Sequence, residues 1–256
     1  MTSAVPSERE VLLDEAGRPA AEYVQGQSHD GPWADALRTI SGHPGSTVPL
    51  LLDRLPGWAV TTDENLAADL LLAGARSVRY AHHYGWDLAL RRPDSDWAAP
   101  TLPARLRLVA ASTMSAQDLA ATRQTAYRPG HPDHGADRAT GSVGRLQGLL
   151  DGTRYGALLD CSAVVLEGTQ VVAAVTVNRH DGTPSRRGPW FTDVFRDPLP
   201  RYSGLGTLLL QWVLAHAAEA GETEVGLSVT EGNPARLIFE RIGFLHTEST
   251  RTVVLP

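Results

Sequence analysis

Trp190-Phe191-Thr192-Asp193-Val194-Phe195, followed by Arg201-Tyr202-Ser203-Gly204-Leu205-Gly206-Thr207 running into Leu208–Leu214, is the stretch on which the reading of this chain turns. The first six residues are β-prone and predict a strand. The apolar run after the glycines predicts a helix. A second strand is expected over Glu224–Val229, and a second helix over Asn233–Arg241, closed by Gly243-Phe244. The first N–H groups of a helix lack intrahelical partners and carry partial positive charge, so such a start attracts an anion. Gly204 and Gly206 let the backbone approach a bulky phosphate, and Arg201 adds a full charge. A strand–helix turn that binds nothing fits the glycine pair alone equally well. The dinucleotide fingerprint G-x-G-x-x-G fails at Leu209, and the P-loop lysine is missing because the chain contains no lysine.

The order of the pieces says more than any one of them. Arg201, Gly204 and Gly206 after a strand, then Asn233-Pro234-Ala235-Arg236, then Gly243-Phe244, resemble the GNAT family of N-acetyltransferases. The resemblance covers roughly Leu106 to Pro256. It implies acetyl-CoA as acyl donor, with its pyrophosphate on the loop Arg201, Ser203, Gly204, Leu205, Gly206 and Thr207. Val194, Phe195 and Arg196 at the end of the preceding strand, with Asn233 and Arg236 on the second helix, complete the implied donor site. It also implies that the strands flanking this loop splay apart, leaving a gap for pantetheine. No metal is implied.

Composition sets the outer limits. A chain of 256 residues is long for one domain, and two unequal modules are expected. The net charge of −6 argues against nucleic acid as the main partner. The all-arginine cation usage and high alanine content point to a GC-rich, bacterial genome. Cys161 is the only cysteine, so no intramolecular disulfide forms and a reducing cytoplasm is the expected location. It precedes Val164-Val165-Leu166 and reads as a buried, inert thiol. No apolar run is long enough to span a membrane, and residues 1–30 lack the shape of a signal peptide. A monomer or homodimer is expected.

From the start of the chain, Val11–Asp14 and Ala21–Val24 around Gly17-Arg18-Pro19 predict a hairpin, and Pro32–Ile40 a short helix. Trp58–Val60 predicts a strand, Asp63–Ala73 a helix capped by Asp63 and stopped by Gly74, and Val78–His82 another strand. This β-α-β unit faintly echoes the later one, and 1–90 is expected to be a small α/β domain, a degenerate half of the same fold without a cofactor. Residues 91–105, rich in Pro, Asp and Arg, read as a linker. From 106 to 256 a strand at Leu106–Ala110, helices at Ala116–Thr125 and Val143–Leu150, and a hairpin through Gly168-Thr169 precede the opening stretch. The fold class is α/β, with a mixed, mostly antiparallel sheet flanked by helices.

Acyl transfer to an amine requires a proton acceptor, an oxyanion donor and, optionally, an acid for the leaving thiolate. The resemblance implies a backbone N–H near Phe195 or Arg196 as oxyanion donor. It also implies a tyrosine four residues before Gly243, where this chain has Phe239. Ser228, Tyr202 or a water are the substitutes, or no acid is needed, since a thiol of pKa about 8.5 leaves readily. Asp193 is the candidate base. It is an aspartate within a strand, expected to share a face with Phe191 and Phe195, surroundings that raise a carboxyl pKa. Pairing with an arginine is the competing reading. Tyr127, His131 and Asp133 in the loop Tyr127–His134, together with Trp190, are the candidate acceptor-binding residues. His131, Asp133 and His134 make only a weak metal pattern. His82 and His83 have no partner that the sequence names and read as structural. The leading expectation is acyl transfer from CoA to a small-molecule amine. The alternatives are an aminoacyl-tRNA-dependent transferase on the same fold and a non-catalytic CoA-responsive module.

Overall fold

The computed structural model describes residues 9–28, 31–40, 44–134, 141–183 and 186–256. In chain order the strands and helices are β1 Arg9–Leu13, β2 Pro19–Ser28, β3 Gly31–Thr39, α1 Pro44–Arg54, β4 Ala59–Thr62, α2 Glu64–Leu72 and β5 Arg76–Asp87. Then come β6 Leu106–Ala110, α3 Ala116–Ala126, α4 Gly141–Leu150, β7 Ala163–Glu167, β8 Gln170–Thr183 and β9 Arg186–Arg196. The chain finishes with α5 Leu205–Glu219, β10 Glu224–Thr230, α6 Ala235–Ile242 and β11 Leu245–Val254. Among the described residues, no helix is long and apolar enough to cross a membrane.

The strands form one mixed, mostly antiparallel sheet in the order β1-β2-β3-β4-β11-β5-β10-β9-β8-β7-β6. That order is not two sheets laid end to end. β5 lies between β10 and β11, pairing antiparallel with both, and β11 continues to β4. The last strand of each half of the sequence is thus hydrogen-bonded into the other half. The order strand-strand-strand-helix-strand-helix-strand occurs from β1 to β5 and again from β7 to β11. In each run the third and fourth strands pair in parallel at a tryptophan: Trp33 with Ala59, and Trp190 with Gly226.

Pro32–Thr39 lies in strand β3, not in the short helix that its Ala/Asp/Leu content predicts. Pairing with β2 on one edge and β4 on the other overrides local propensity. Pro49-Leu50-Leu51-Leu52 lie within α1. The expected α2 is present, with the Asp63 carboxylate accepting from the N–H groups of Asn65 and Leu66.

α5 packs on the sheet through Leu205, Leu209, Leu210, Val213, Leu214 and Ala217, the spacing of one helical face. They join Val175, Val177, Phe191 and Leu227 in one core. Each fully buried leucine adds roughly 1.5–3 kcal/mol. α3 and α4 cover the opposite face through Leu119 and Leu146 against Val164, Ala174 and Phe195. Cys161 is buried, and burial pushes its thiol up to about 12. At pH 8 a thiol-specific disulfide reagent should leave the folded protein unmodified and react once denaturant unfolds it; rapid labelling of the native chain would contradict this placement.

The exchanged strands make a second prediction. A protein beginning at Leu106 loses β5 and with it every strand that pairs with β11, and leaves β10 with an open edge. Such an edge invites aggregation. The truncated chain should be insoluble or oligomeric by gel filtration, whereas a stable monomer would show that the exchange is dispensable.

Candidate functional site

β9 and β10 pair in parallel only at Trp190–Gly226 and Phe191–Leu227; beyond that point the strands separate. Two clefts open into the gap. The first, of about 700 Å³, is lined by Asp193, Val194, Ser228, Thr230, Asn233, Phe239 and the start of β5. The second, of about 750 Å³, is lined by Val194, Phe195, Arg196, Gly206, Leu210, Asn233 and Phe239. Tyr127, Val194, Asn233 and Phe239 border both, so the clefts meet where β9 leaves β10.

The second cleft runs toward the start of α5. Gly204, at φ +90°, is the helix cap in the left-handed region, where a side chain is strained. The backbone N–H groups of Leu205, Gly206 and Thr207 form the unpaired first turn. A Cβ on Gly206 would meet no heavy atom within 4 Å, so the space above it is open. Leu205 buries its side chain and offers only its backbone, while Ser203 is exposed. Arg201 donates to the Tyr202 hydroxyl at 2.8 Å and lies 3.4 Å from Glu167, so it is partly neutralised and not poised wholly for an anion. Arg236 pairs with Glu240 and stands 3.9 Å from Glu231. Arg196 donates to the Asp197 carbonyl.

The expected face of Asp193 needs correction. Thr176 pairs with Asp193 and Val177 with Phe191, so Thr192 is an extra residue in β9. A bulge of one residue exchanges the faces on either side of it. Phe191 therefore joins the α5 core, whereas Asp193 and Phe195 face α3 and α4. There Arg123 Nε lies 2.5 Å from Asp193 Oδ2, Arg145 Nε lies 3.6 Å from the same oxygen, and Tyr127 donates to Oδ1 at 2.7 Å. With its side chain 2% exposed, Asp193 accepts from Arg123 and Tyr127 and lies within ion-pair distance of Arg145. The aromatic setting that suggested a base is instead a buried ion pair.

Tyr127 also donates to the Val194 carbonyl at 3.1 Å. Burial first, and the Asp193 charge second, push its hydroxyl far above the ordinary tyrosine range, so it remains protonated. The loop after it is latched to the other wall: Asp133 accepts from Thr230 and Asn233, and the Asn233 side chain accepts from the Ala235 N–H at the start of α6. His131 stacks edge-on against Tyr127, and burial lowers its pKa despite the nearby Asp133. Among the described residues no group of three His, Cys, Asp or Glu side chains is placed to hold a metal. Trp190 does not line the clefts at Asp193; its ring lies against Gly226 in a neighbouring hollow with Trp86 and Glu248.

Sequence reasoning left His82 and His83 without partners. Across the exchanged strands, His83 Nδ1 lies 2.7 Å from Ser228 Oγ and its Nε2 2.8 Å from Thr250 Oγ1. His82 meets Glu231 and Ser249. No local pattern signals these contacts, because β10 and β11 lie far along the chain. Arg123 and Arg145 were missed because their partner lies on a strand several elements further along the chain.

The family model described as "Acetyltransferase (GNAT) family" matches residues 119–244. This part of the chain belongs to the GNAT acetyltransferases. Acyl transfer from coenzyme A to an amine is the reaction of that family. No curated protein matches the sequence. Among solved structures, a GCN5-related N-acetyltransferase from Sphaerobacter thermophilus is similar over 99% of this chain and 82% of its own, at 16% identity and TM-score 0.66. A GCN5-related N-acetyltransferase from Kribbella flavida is similar over 98% of this chain and 90% of its own, at 15% identity and TM-score 0.57. A tandem GNAT protein from the clavulanic acid biosynthesis pathway is similar over 98% of this chain and 83% of its own, at 15% identity and TM-score 0.56. At these identities the likeness is one of fold.

The Arg123–Asp193 pair, with side chains 4% and 2% exposed, generates a test of its own. Removing one partner of a buried pair leaves the other charge uncompensated, at a cost of about 3–5 kcal/mol. Arg123→Met should lower the urea midpoint accordingly, and Asp193→Asn should lower it in the same direction. Parent-like midpoints for both would mean that the pair does not hold β9 to α3.

Proposed function

We propose that the protein transfers an acetyl or other short acyl group from coenzyme A to the amine of a small molecule, by direct attack on the thioester. The observation that carries this reading is the meeting of the two clefts at Val194 and Phe239, one running to the α5 amides and the other away from them. The pyrophosphate fits the open space over Gly206, and pantetheine fits the gap beside β9. Val194–Arg196 offer backbone for the thioester carbonyl. The amine enters through the first cleft, and no nucleic acid or membrane is involved. The segment before residue 91 is read as a reduced copy of the same fold, which holds no donor and builds the acceptor wall instead.

The charge of the first cleft narrows the acceptor. Among the described residues lining it are Arg76, Arg79, Arg123 and Arg145 against Asp133 and Asp193, a positive balance inside a chain of net charge −6. An amine that also carries a carboxylate or phosphate suits such a cleft. Free CoA release from acetyl-CoA should therefore be faster with β-alanine and 4-aminobutyrate than with propylamine and butylamine. Equal or reversed rates would remove the anionic acceptor, and no release with any amine would remove the transferase.

Donor binding has a separate test. Gly206→Val adds bulk to open space within a helical turn, so the fold should persist by circular dichroism. Affinity for acetyl-CoA by calorimetry should fall at least about tenfold, or about 1.4 kcal/mol. Unchanged affinity would move the donor elsewhere.

A further inference from the structure

Ser228 points into the first cleft from β10, directly backed by an imidazole from the other half of the sequence. We propose that Ser228 and His83 form a proton relay for acyl transfer: Ser228 Oγ receives the proton of the attacking amine while passing its own to His83 Nδ1. This rests on the acyltransfer reading above and supplies the base that Asp193, held by Arg123, Arg145 and Tyr127, is badly placed to be.

The geometry meets each requirement of a relay. Ser228 is half-buried and borders the same cleft as Val194 and Phe239, where the donor and acceptor spaces join. His83 is 1% exposed, so bulk water does not compete for its Nδ1. The Oγ–Nδ1 separation of 2.7 Å is a full hydrogen bond. The Nε2 contact with Thr250 Oγ1 at 2.8 Å fixes the ring from behind, as the third member of a nucleophile–base–orienter set does. The Trp190 ring, 6.1 Å away centroid to centroid, walls the imidazole on its β9 side. With Nε2–H donated to Thr250, Nδ1 carries the lone pair that accepts from Ser228.

The step balances without a further reactant. The amine nitrogen bonds to the thioester carbon, and the C–S bond breaks. The amine proton moves to Ser228 Oγ as the Ser228 proton moves to His83 Nδ1. Reversal of that shift returns one proton to the departing thiolate, leaving Ser228 and His83 as they began. The route also answers the phenylalanine at 239, which has no proton to give. Ser228 acts on the substrate, whereas His83 acts through Ser228 and is a positioning and relay group. The ionisable groups around the pair are Glu248, its register neighbour on β11, Arg79 on its own strand, and Asp133, Asp193, Arg123 and Arg145 across the cleft.

The experiment uses the full-length protein. With acetyl-CoA and the fastest amine of the panel above, His83→Gln and Ser228→Ala should each lower kcat roughly 10²-fold with acetyl-CoA affinity retained. The double variant should be no slower than either single one. The acid-side fall of the parent pH–rate profile should disappear in both variants, so the deficit should be largest at high pH and shrink as the pH falls. Ser228→Ala is a small change at a cleft wall, so it remains informative if His83→Gln fails to fold. Parent-like turnover by Ser228→Ala, or a deficit uniform across pH, overturns the relay. Nitrogen-labelled histidine NMR on the parent needs no acceptor: an Nε2–H tautomer at His83 supports the relay and an Nδ1–H tautomer overturns it. The acyltransfer reading fails separately, when the parent acylates no amine.

Discussion

The double ladder of hydrogen bonds along β5 is the constraint on which the rest depends. Its backbone pairs with β10 on one edge and β11 on the other, and β11 passes the connection on to β4. One strand contributed by early residues therefore closes a sheet that later residues build. The position of β10 is fixed by this ladder and not by β9, with which it shares only two pairings. β10 can part from β9 and still have a fully paired edge, and the gap between them becomes a working space with no cost in unpaired β10 backbone on the far side.

Two local devices make the gap chemically useful. The extra residue at Thr192 turns Asp193 toward α3 and α4, where it ties both helices to β9 and carries Tyr127 to the junction of the clefts. Asp133 performs a similar task from the opposite wall, holding the loop after α3 to β10 and α6 through Thr230 and Asn233. Both aspartates serve shape: they fix the walls at the point where a thioester carbonyl has to meet a nucleophile. Positional precision of this kind supplies much of the rate in a reaction between a thioester and an amine.

Much of this was legible in the sequence, and the exceptions have physical causes. The loop before α5, the Asn233–Arg236 helix start and the Gly243 stop are local backbone devices, so their residues announce them. The Asp63 cap and the Gly168 hairpin belong to the same class. Pro32–Ile40 misled because its composition favours a helix, while two neighbouring strands decide its conformation. Asp193 misled because strict alternation was assumed across Thr192, and nothing in the sequence marks a bulge whose extra residue is a threonine. The environment of His83 was illegible for a different reason. Its partners, Ser228 and Thr250, lie on strands whose adjacency to β5 follows from a strand exchange and leaves no trace in local pattern. β11 itself was not anticipated, since His246–Thr252 is polar throughout and stays exposed or half-buried even in the sheet, so it has no apolar face to announce a strand.

The exchange also has a meaning in time. Val60 pairs with Val253, and Thr62 with Arg251. On a growing chain β4 emerges long before the strand that will sit beside it, so the early half waits with an unsatisfied edge while the later half is made. Contacts so distant along the sequence close loops of high entropy and slow the approach to the native state. Until β11 is made, the early half keeps an open strand edge that an independently closed domain would not. Once β11 has docked, neither half can unravel alone, and local opening near the cleft is coupled to the unfolding of the whole.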